Sequence, residues 1–370
     1  MIHSVAAFGR QFFSGKEVDF PAASRYDERD RKGVPLWPPG MSHVPMEKKT
    51  RKLMRAAGVT AAAAATAAIT SYTTMNFMLR VATDRKAPGI LDKTHHLISG
   101  SKKPSEITDE KRILADRLAV RENEAVQILS RDGVSLTGHW VPQKDAKRVI
   151  VAMHGWRSSW YWDFGMFSDF WEQNGCSVLY AEQRAQGNSG GESICFGVEE
   201  SLDCLEWVQW VIRNCGPEIP VYLAGVSMGA TTVLMAAGLE MPASVHGIMA
   251  DCGFTSPRAI WRYVATENLH MGLSVRGPIA EALLRKRIPL HQSLESTVDA
   301  LKKCTVPVLF VHGTADHFVP VEMTYENYMA CASPKRLLIV PGAGHGRSFL
   351  TDRDGYEAAV RAFWNDFDAS

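Results

Sequence analysis

Apolar and polar positions follow two different rhythms along this chain. From residue 125 onward, short apolar runs alternate with longer stretches whose apolar residues recur every three or four positions. Residues 125–130 and 136–141 alternate in polarity on either side of Arg131-Asp132-Gly133, which predicts a hairpin closed by an Asp-Gly turn. The runs 148–153, 177–180, 221–224, 247–250, 306–311 and 336–340 are short and mostly apolar, as expected of strands buried on both faces. Between them, 164–173, 198–212 and 356–367 carry the helical period. Strand and helix in alternation predict an α/β fold, a mostly parallel sheet with helices on both faces.

Upstream the pattern changes. Residues 1–55 hold no sustained period: 25–32 are mostly charged and 34–40 are punctuated by proline, so an N-terminal tail, flexible in the main, is expected. The apolar run 5–8 is too short for the core of a signal peptide. A basic cluster, Lys48, Lys49, Arg51, Lys52 and Arg55, then precedes residues 56–79, which carry no charge. That length suffices for one bilayer-crossing helix, and 56–82 is the candidate transmembrane helix. Ala and Thr dominate it, so a buried or amphipathic soluble helix, or an internal export signal, fits the same residues. With the heavier basic cluster on its N-terminal side, a spanning helix would leave the tail in the cytoplasm and the rest of the chain outside. Residues 83–124 read as a linker followed by a helix, with Ile113, Leu114 and Leu118 at helical spacing. His95-His96 has no third ligand nearby and reads as a solvated loop pair.

Composition modifies this picture in two respects. Lys and Arg number 41 against 40 Asp and Glu, a net charge of +1, which excludes a nucleic-acid binder driven by phosphate neutralisation. The seven cysteines form no C-x-x-C pair and no His/Cys ligand spacing, which argues against a zinc site. Scattered and odd in number, they suit reduced, buried thiols better than a disulfide framework. This favours a cytoplasmic location and opposes the orientation that the basic cluster implies.

The candidate chemistry centres on Gly225-Val226-Ser227-Met228-Gly229, which follows a predicted strand and precedes an Ala-, Leu- and Met-rich stretch, 230–239, that predicts a helix. Strand, G-x-S-x-G turn and helix make a nucleophile elbow, in which small flanking residues allow a strained turn that lifts the serine hydroxyl clear of the sheet. In parallel sheets the ligand sits at the carboxyl ends of the strands. His154-Gly155-Trp156 follows one such strand, and the N–H groups of Trp156 and Met228 are candidates for a two-donor oxyanion hole. His154 reads as a brace for that loop. His312-Gly313-Thr314-Ala315-Asp316 follows another strand, and Gly344-His345-Gly346 lies just beyond the last. Ser227, Asp316 and His345 thus occur in the order nucleophile, acid, base: His345 would take the serine proton, and Asp316 would steady the imidazolium. Asp251 is the alternative acid. His246, His312 and His317 are rivals near strand ends, with His312 read as packing inside its turn.

Through these blocks the chain resembles the α/β-hydrolase superfamily over about 125–367. His154 to Trp156, Gly225 to Gly229, Asp251-Cys252-Gly253-Phe254-Thr255-Ser256, His312 to Asp316 and Gly344 to Gly346 match it in order. Residues 182–189 look like its Asp-x-Arg-x-x-Gly-x-Ser block, with Glu182 in place of the first residue, and read as bracing for the site. The resemblance implies the α/β-hydrolase fold over 125–370 and a small helical cap at about 254–301, where Trp261, Tyr263, Leu269, Met271 and Leu273 are available to line a pocket. The N-terminal helix ahead of this domain also resembles bacterial membrane-tethered hydrolases related to serine aminopeptidase-like and prolyl-oligopeptidase-like enzymes. The expected activity is hydrolysis of a small-molecule carboxylic ester through an acyl-enzyme on Ser227, with no metal and no organic cofactor. A peptidase or amidase using the same residues is the other enzymatic reading, and a catalytically silent binding protein the non-enzymatic one. Trp156, Trp160, Tyr161 and Trp162 crowd the oxyanion loop, where they would either favour an apolar acyl group or anchor the loop.

Overall fold

The computed structural model describes residues 47–86, 106–272, 276–288 and 296–368; positions 1–46 of the expected 1–55 tail, positions 87–105 of the expected linker with His95-His96, and Leu273 lie outside them. Eight strands form one sheet in the order β1-β2-β4-β3-β5-β6-β7-β8. They are β1 (Glu124–Leu129), β2 (Ser135–Val141), β3 (Arg148–Met153), β4 (Cys176–Ala181), β5 (Val221–Val226), β6 (Val245–Asp251), β7 (Val308–Gly313) and β8 (Lys335–Val340). β1 and β2 pair antiparallel, β2 runs antiparallel to β4, and the remaining pairs are parallel. The apolar runs are continuous because both faces are covered. In β3, Val149, Val151 and Met153 join one core while Ile150 and Ala152 join the other. The first core is closed by α4 (Val198–Cys215) and α5 (Met228–Ala236) through Trp207, Val208, Val211 and Val233. The second is closed by α3 (Trp160–Gln173) and α11 (Arg353–Phe367), where Phe170 stacks on Trp364 with ring centroids 5.4 Å apart.

Several boundaries differ from the sequence reading. The helix expected at 56–82 begins at Lys48, within the stretch expected to be a flexible tail, because Lys, Arg, Leu and Met there are strong helix formers. β7 does not stop at Val311 but carries His312 and Gly313 in register with Ile339 and Val340 of β8, because the neighbouring strand supplies backbone partners that local turn propensity cannot foresee. The helix after the elbow ends at Ala236, three residues short of the expected Leu239.

Ahead of the sheet, α1 (Lys48–Thr83) is a single 36-residue helix, and two compact units, Met1–Ala64 and Ala65–Ser370, divide within it. It is long and apolar enough to span a membrane: its most apolar 18-residue window has a mean hydropathy of 1.3, with no part of that window buried. In the second unit a stripe at four-residue spacing, Ser71, Met75, Leu79 and Thr83, is buried instead. Met75 and Leu79 pack with Val198, Met235, Leu283 and Leu284. α2 (Glu106–Ala119) crosses α3 so closely that a Cβ on Gly165 would lie 2.7 Å from the Ala115 Cα. After β6, α6 (Pro257–Tyr263) runs into a π-turn at Val264–Asn268, followed by α7 (Arg276–Arg287) and α8 (Thr297–Leu301). α9 (Val321–Ala330) and the short α10 (Ser348–Thr351) complete the chain.

Candidate active site

Ser227 stands between β5 and α5 at φ 58° and ψ −118°, a conformation that costs a non-glycine residue about 1–3 kcal/mol. The surroundings enforce it. Its N–H donates to the Asp251 carbonyl at 2.8 Å and its own carbonyl accepts from Thr231 N at 3.0 Å. A Cβ at Gly229 would overlap the Met153 carbonyl oxygen, and one at Gly225 the Gly229 carbonyl, so only bare backbone lets strand and helix meet this closely.

The Ser227 hydroxyl lies 2.8 Å from His345 Nε2, and His345 Nδ1 lies 2.7 Å from Asp316 Oδ2. Asp316 is fully held. Oδ1 accepts from the amides of Phe318 and Val319 at 2.9 Å each, and Oδ2 also accepts from His312 Nε2 at 3.1 Å. His312 is completely buried, and its Nδ1 meets the Thr324 hydroxyl at 2.6 Å. With two acceptors, Asp316 Oδ2 and the Val319 carbonyl, before Nε2, the His312 proton belongs on that nitrogen, so Nδ1 accepts from Thr324. His312 therefore does more than pack: it fixes the carboxylate that faces His345. A strand-end histidine four residues before an aspartate is the signal that could have marked it.

Burial works against charge on His345, but the Asp316 carboxylate outweighs it and holds the imidazole well above its ordinary range. Burial likewise opposes charge on Asp316, yet His345 and His312 hold its carboxyl below the usual carboxylate range. Cys252 adjoins this group, and burial pushes its thiol up to about 11. Donor atoms of Cys252, Asp316 and His345 lie within 4.8 Å of one another, the grouping among the described residues that could hold a cation, but two of its three members are already engaged with each other. Asp251, the alternative acid, accepts from Ser348 Oγ at 3.1 Å and meets neither ring nitrogen of His345 among the described hydrogen bonds. Burial raises its carboxyl to about 6.

The loop after β3 presents its amides unequally. Gly155 N donates to Asp163 Oδ2 at 2.7 Å and Arg157 N to Gln186 Oε1 at 2.6 Å. Among the described residues the amide between them, on Trp156, has no partner, and neither has that of Met228 at the first turn of α5. Both therefore remain free to donate to a substrate oxygen. His154 is buried, accepts from Gln183 N at 3.1 Å through Nε2, and is kept from charging by that burial, so it braces the loop. Glu182 carries out the same office through His139 at 2.8 Å, and Arg184 is clamped by Asp203 at 2.6 Å. Trp160 stacks on His139 inside the core, 4.2 Å between centroids, which anchors the loop and leaves Trp160 no part in a mouth. The apolar neighbours of Met228 are instead Phe254, Ile260, Val319 and Met323, with Trp156, Tyr263 and Phe318 partly buried against them.

Local patterning gave no sign that the oxyanion loop is tied to the end of α1. Trp156 Nε1 donates to the Ala82 carbonyl at 2.8 Å, and the Arg157 guanidinium donates to the carbonyls of Val81 at 2.8 Å and Asp84 at 2.5 Å. These are the orphan carbonyls of a helix C-terminus, and a guanidinium is well suited to satisfy several at once.

An eight-stranded, mostly parallel sheet carrying a strained serine at a strand-to-helix turn, with an imidazole and a carboxylate in line, is the framework of an α/β hydrolase. The alpha/beta hydrolase family matches residues 149–359, more than half of the chain, and the chain belongs to that family. Over 263 residues it is 26% identical to the uncharacterized protein YqkD of Bacillus subtilis, covering 71% of this chain and 86% of that protein. A monoacylglycerol lipase of Mycolicibacterium smegmatis is 25% identical over 222 residues, 49% of this chain and 75% of the lipase. An esterase of Pyrococcus furiosus shares the fold with a TM-score of 0.56 at 21% identity, covering 66% of this chain and 91% of its own.

Proposed function

We propose that this hydrolase cleaves carboxylic esters with an apolar acyl group through an acyl-enzyme intermediate. The observation that carries the reading is the unbroken line from the Ser227 hydroxyl to His345 at 2.8 Å and from His345 to Asp316 at 2.7 Å. In the proposed reaction Ser227 Oγ attacks the ester carbonyl carbon as its proton passes to His345 Nε2. The negative charge that develops on the carbonyl oxygen is taken up by the amides of Trp156 and Met228, worth about 3 kcal/mol for each such donor. His345 returns the proton to the departing alkoxide, then deprotonates the water that releases the acid and frees Ser227. Phe254, Ile260, Val319 and Met323 around Met228 favour an apolar acyl chain over a charged one. In this proposal 125–370 is the catalytic domain, with its cap at 254–301. α1 attaches the protein to a membrane with the 1–55 tail in the cytoplasm, a role supported by its length and hydropathy.

A panel of p-nitrophenyl esters from acetyl to dodecanoyl, run beside aminoacyl p-nitroanilides with wild type and Ser227→Ala, tests the reading. Ester turnover that drops by roughly 10⁶-fold in Ser227→Ala is expected. Anilide cleavage of comparable efficiency would move the protein to the peptidases, and full ester turnover by Ser227→Ala would name another nucleophile.

A further inference from the structure

At the end of the sheet opposite the candidate active site, two cysteines from different segments are brought together. Cys304 lies between α8 and β7, and Cys331 between α9 and β8. The Leu301 carbonyl accepts from Cys304 N at 3.2 Å and from Ala332 N at 3.0 Å, which lays the two segments side by side. The Ser333 hydroxyl then sits 3.2 Å from Cys331 Sγ and 3.4 Å from Cys304 Sγ, while donating to the Val306 carbonyl at 2.7 Å. Both thiols are buried, yet Lys303, Thr305 and Ala332 beside them are exposed, so the pair lies one residue beneath the surface. Val306, whose carbonyl accepts from the Cys304 thiol at 3.1 Å, also lines a surface cavity of about 210 Å³.

The pair is chemically unequal. The contact with Cys304, aided by Ser333 and Lys335, lowers the Cys331 thiol against the effect of burial, while the same contact and burial hold Cys304 up. The two sulfurs share Ser333 between them, with Cys331 the more easily deprotonated, an arrangement in which an attacking sulfur has its resolving partner at hand.

We propose that Cys304 and Cys331 form a redox site that closes to a disulfide on reaction with a hydroperoxide. With hydrogen peroxide, the Cys331 thiolate attacks one oxygen, the O–O bond breaks, hydroxide leaves, and Cys331 becomes a sulfenic acid. Cys304 then attacks that sulfur; the S–S bond forms, the S–O bond breaks, and the hydroxyl departs as water with the Cys304 proton. The two sulfurs are oxidised by two electrons, and the peroxide is reduced to one water and one hydroxide. The bridge closes a loop that contains β7, Asp316 and α9, so the oxidised protein unfolds at a higher temperature.

The test uses the full chain at pH 7, treated with hydrogen peroxide, digested without reduction and examined by mass spectrometry. A peptide pair linked through Cys304 and Cys331, lost on dithiothreitol treatment, is expected, with Cys176, Cys195, Cys204, Cys215 and Cys252 remaining thiols. In Cys304→Ser, Cys331 is expected to stop at a sulfenic acid that dimedone traps, while wild type gives no trapped adduct. A bridge to any other cysteine, or a wild-type protein whose Cys304 and Cys331 both remain alkylatable after peroxide, would overturn the proposal. So would an oxidised wild type with an unchanged melting temperature.

Discussion

Asp316 shows how much of the site rests on a single residue. Its four acceptor positions are filled by two amides, His312 and His345, which locks the carboxylate in one orientation and keeps it charged. His345 must be neutral to act as a base. Since its folded pKa is raised above the ordinary imidazole value, the acid limb of kcat/KM is expected above pH 6.5. Asp316→Asn removes the charge that raises it, so the limb should move to lower pH while kcat falls by roughly 10⁴-fold through loss of the useful tautomer. A pH series with one p-nitrophenyl ester measures both effects. Asp251→Asn should keep turnover; a loss as large as that of Asp316→Asn would transfer the role of the acid to Asp251. The same variant has a stability signature. Asp251 is raised to about 6 in the fold, so the stability it contributes is complete below 3.8 and is lost as pH rises through 6. Relative to wild type, Asp251→Asn should therefore fare better in urea unfolding at pH 8 than at pH 4.

At the scale of elements, the oxyanion loop and α1 stabilise each other. The loop closes the helix C-terminus through Arg157 and Trp156, and the helix end holds the loop in the shape that leaves the Trp156 amide free. Ile194 N bonds to the Thr83 carbonyl at 2.7 Å and Arg85 N to the Glu192 carbonyl at 2.8 Å, extending the tie to the segment before α4. Arg157→Ala is expected to lower stability by about 2 kcal/mol, as for loss of charge-assisted hydrogen bonds, and to lower kcat more than it raises KM. Urea unfolding and steady-state kinetics on the same preparation separate the two effects. An unchanged kcat would mean that the loop keeps its shape without α1.

For the molecule as a whole, the proposed anchor and the core share α1 along its length. Its uncharged residues before the buried stripe, 56–70, extend about 22 Å at 1.5 Å per residue, short of the roughly 30 Å hydrocarbon core. The remaining turns bury Met75 and Leu79 in the protein. In the proposed arrangement the basic residues at 48–55, snorkelling toward the headgroups, make up the difference, so the buried stripe stays in the fold. Deleting 1–64 should release an active, soluble enzyme, whereas deleting 1–86 should strip a face of the core and cost both stability and turnover. Alkaline washing of membranes from cells that make the full chain checks the anchor: retention of the full chain and loss of the 65–370 form are the expected pair of results.

The division between what sequence determines and what tertiary structure decides follows the distance over which each feature is built. The elbow around Ser227, the hairpin and the alternation of strand and helix are set within a few residues, by glycine spacing and apolar period, and are legible in the chain itself. The positions of Asp316 and His345 are legible too, because parallel strands deliver their following residues to one edge of the sheet. Folding alone decides the rest. Whether Asp251 or Asp316 faces His345 depends on how two strand-end loops lie side by side, and the role of His312 depends on Thr324 from another helix. The latch between α1 and the oxyanion loop joins residues more than seventy positions apart, and the Cys304–Ser333–Cys331 cluster joins the approaches to two strands. No local pattern encodes such contacts, because they arise only when the sheet brings remote backbone together and buries it.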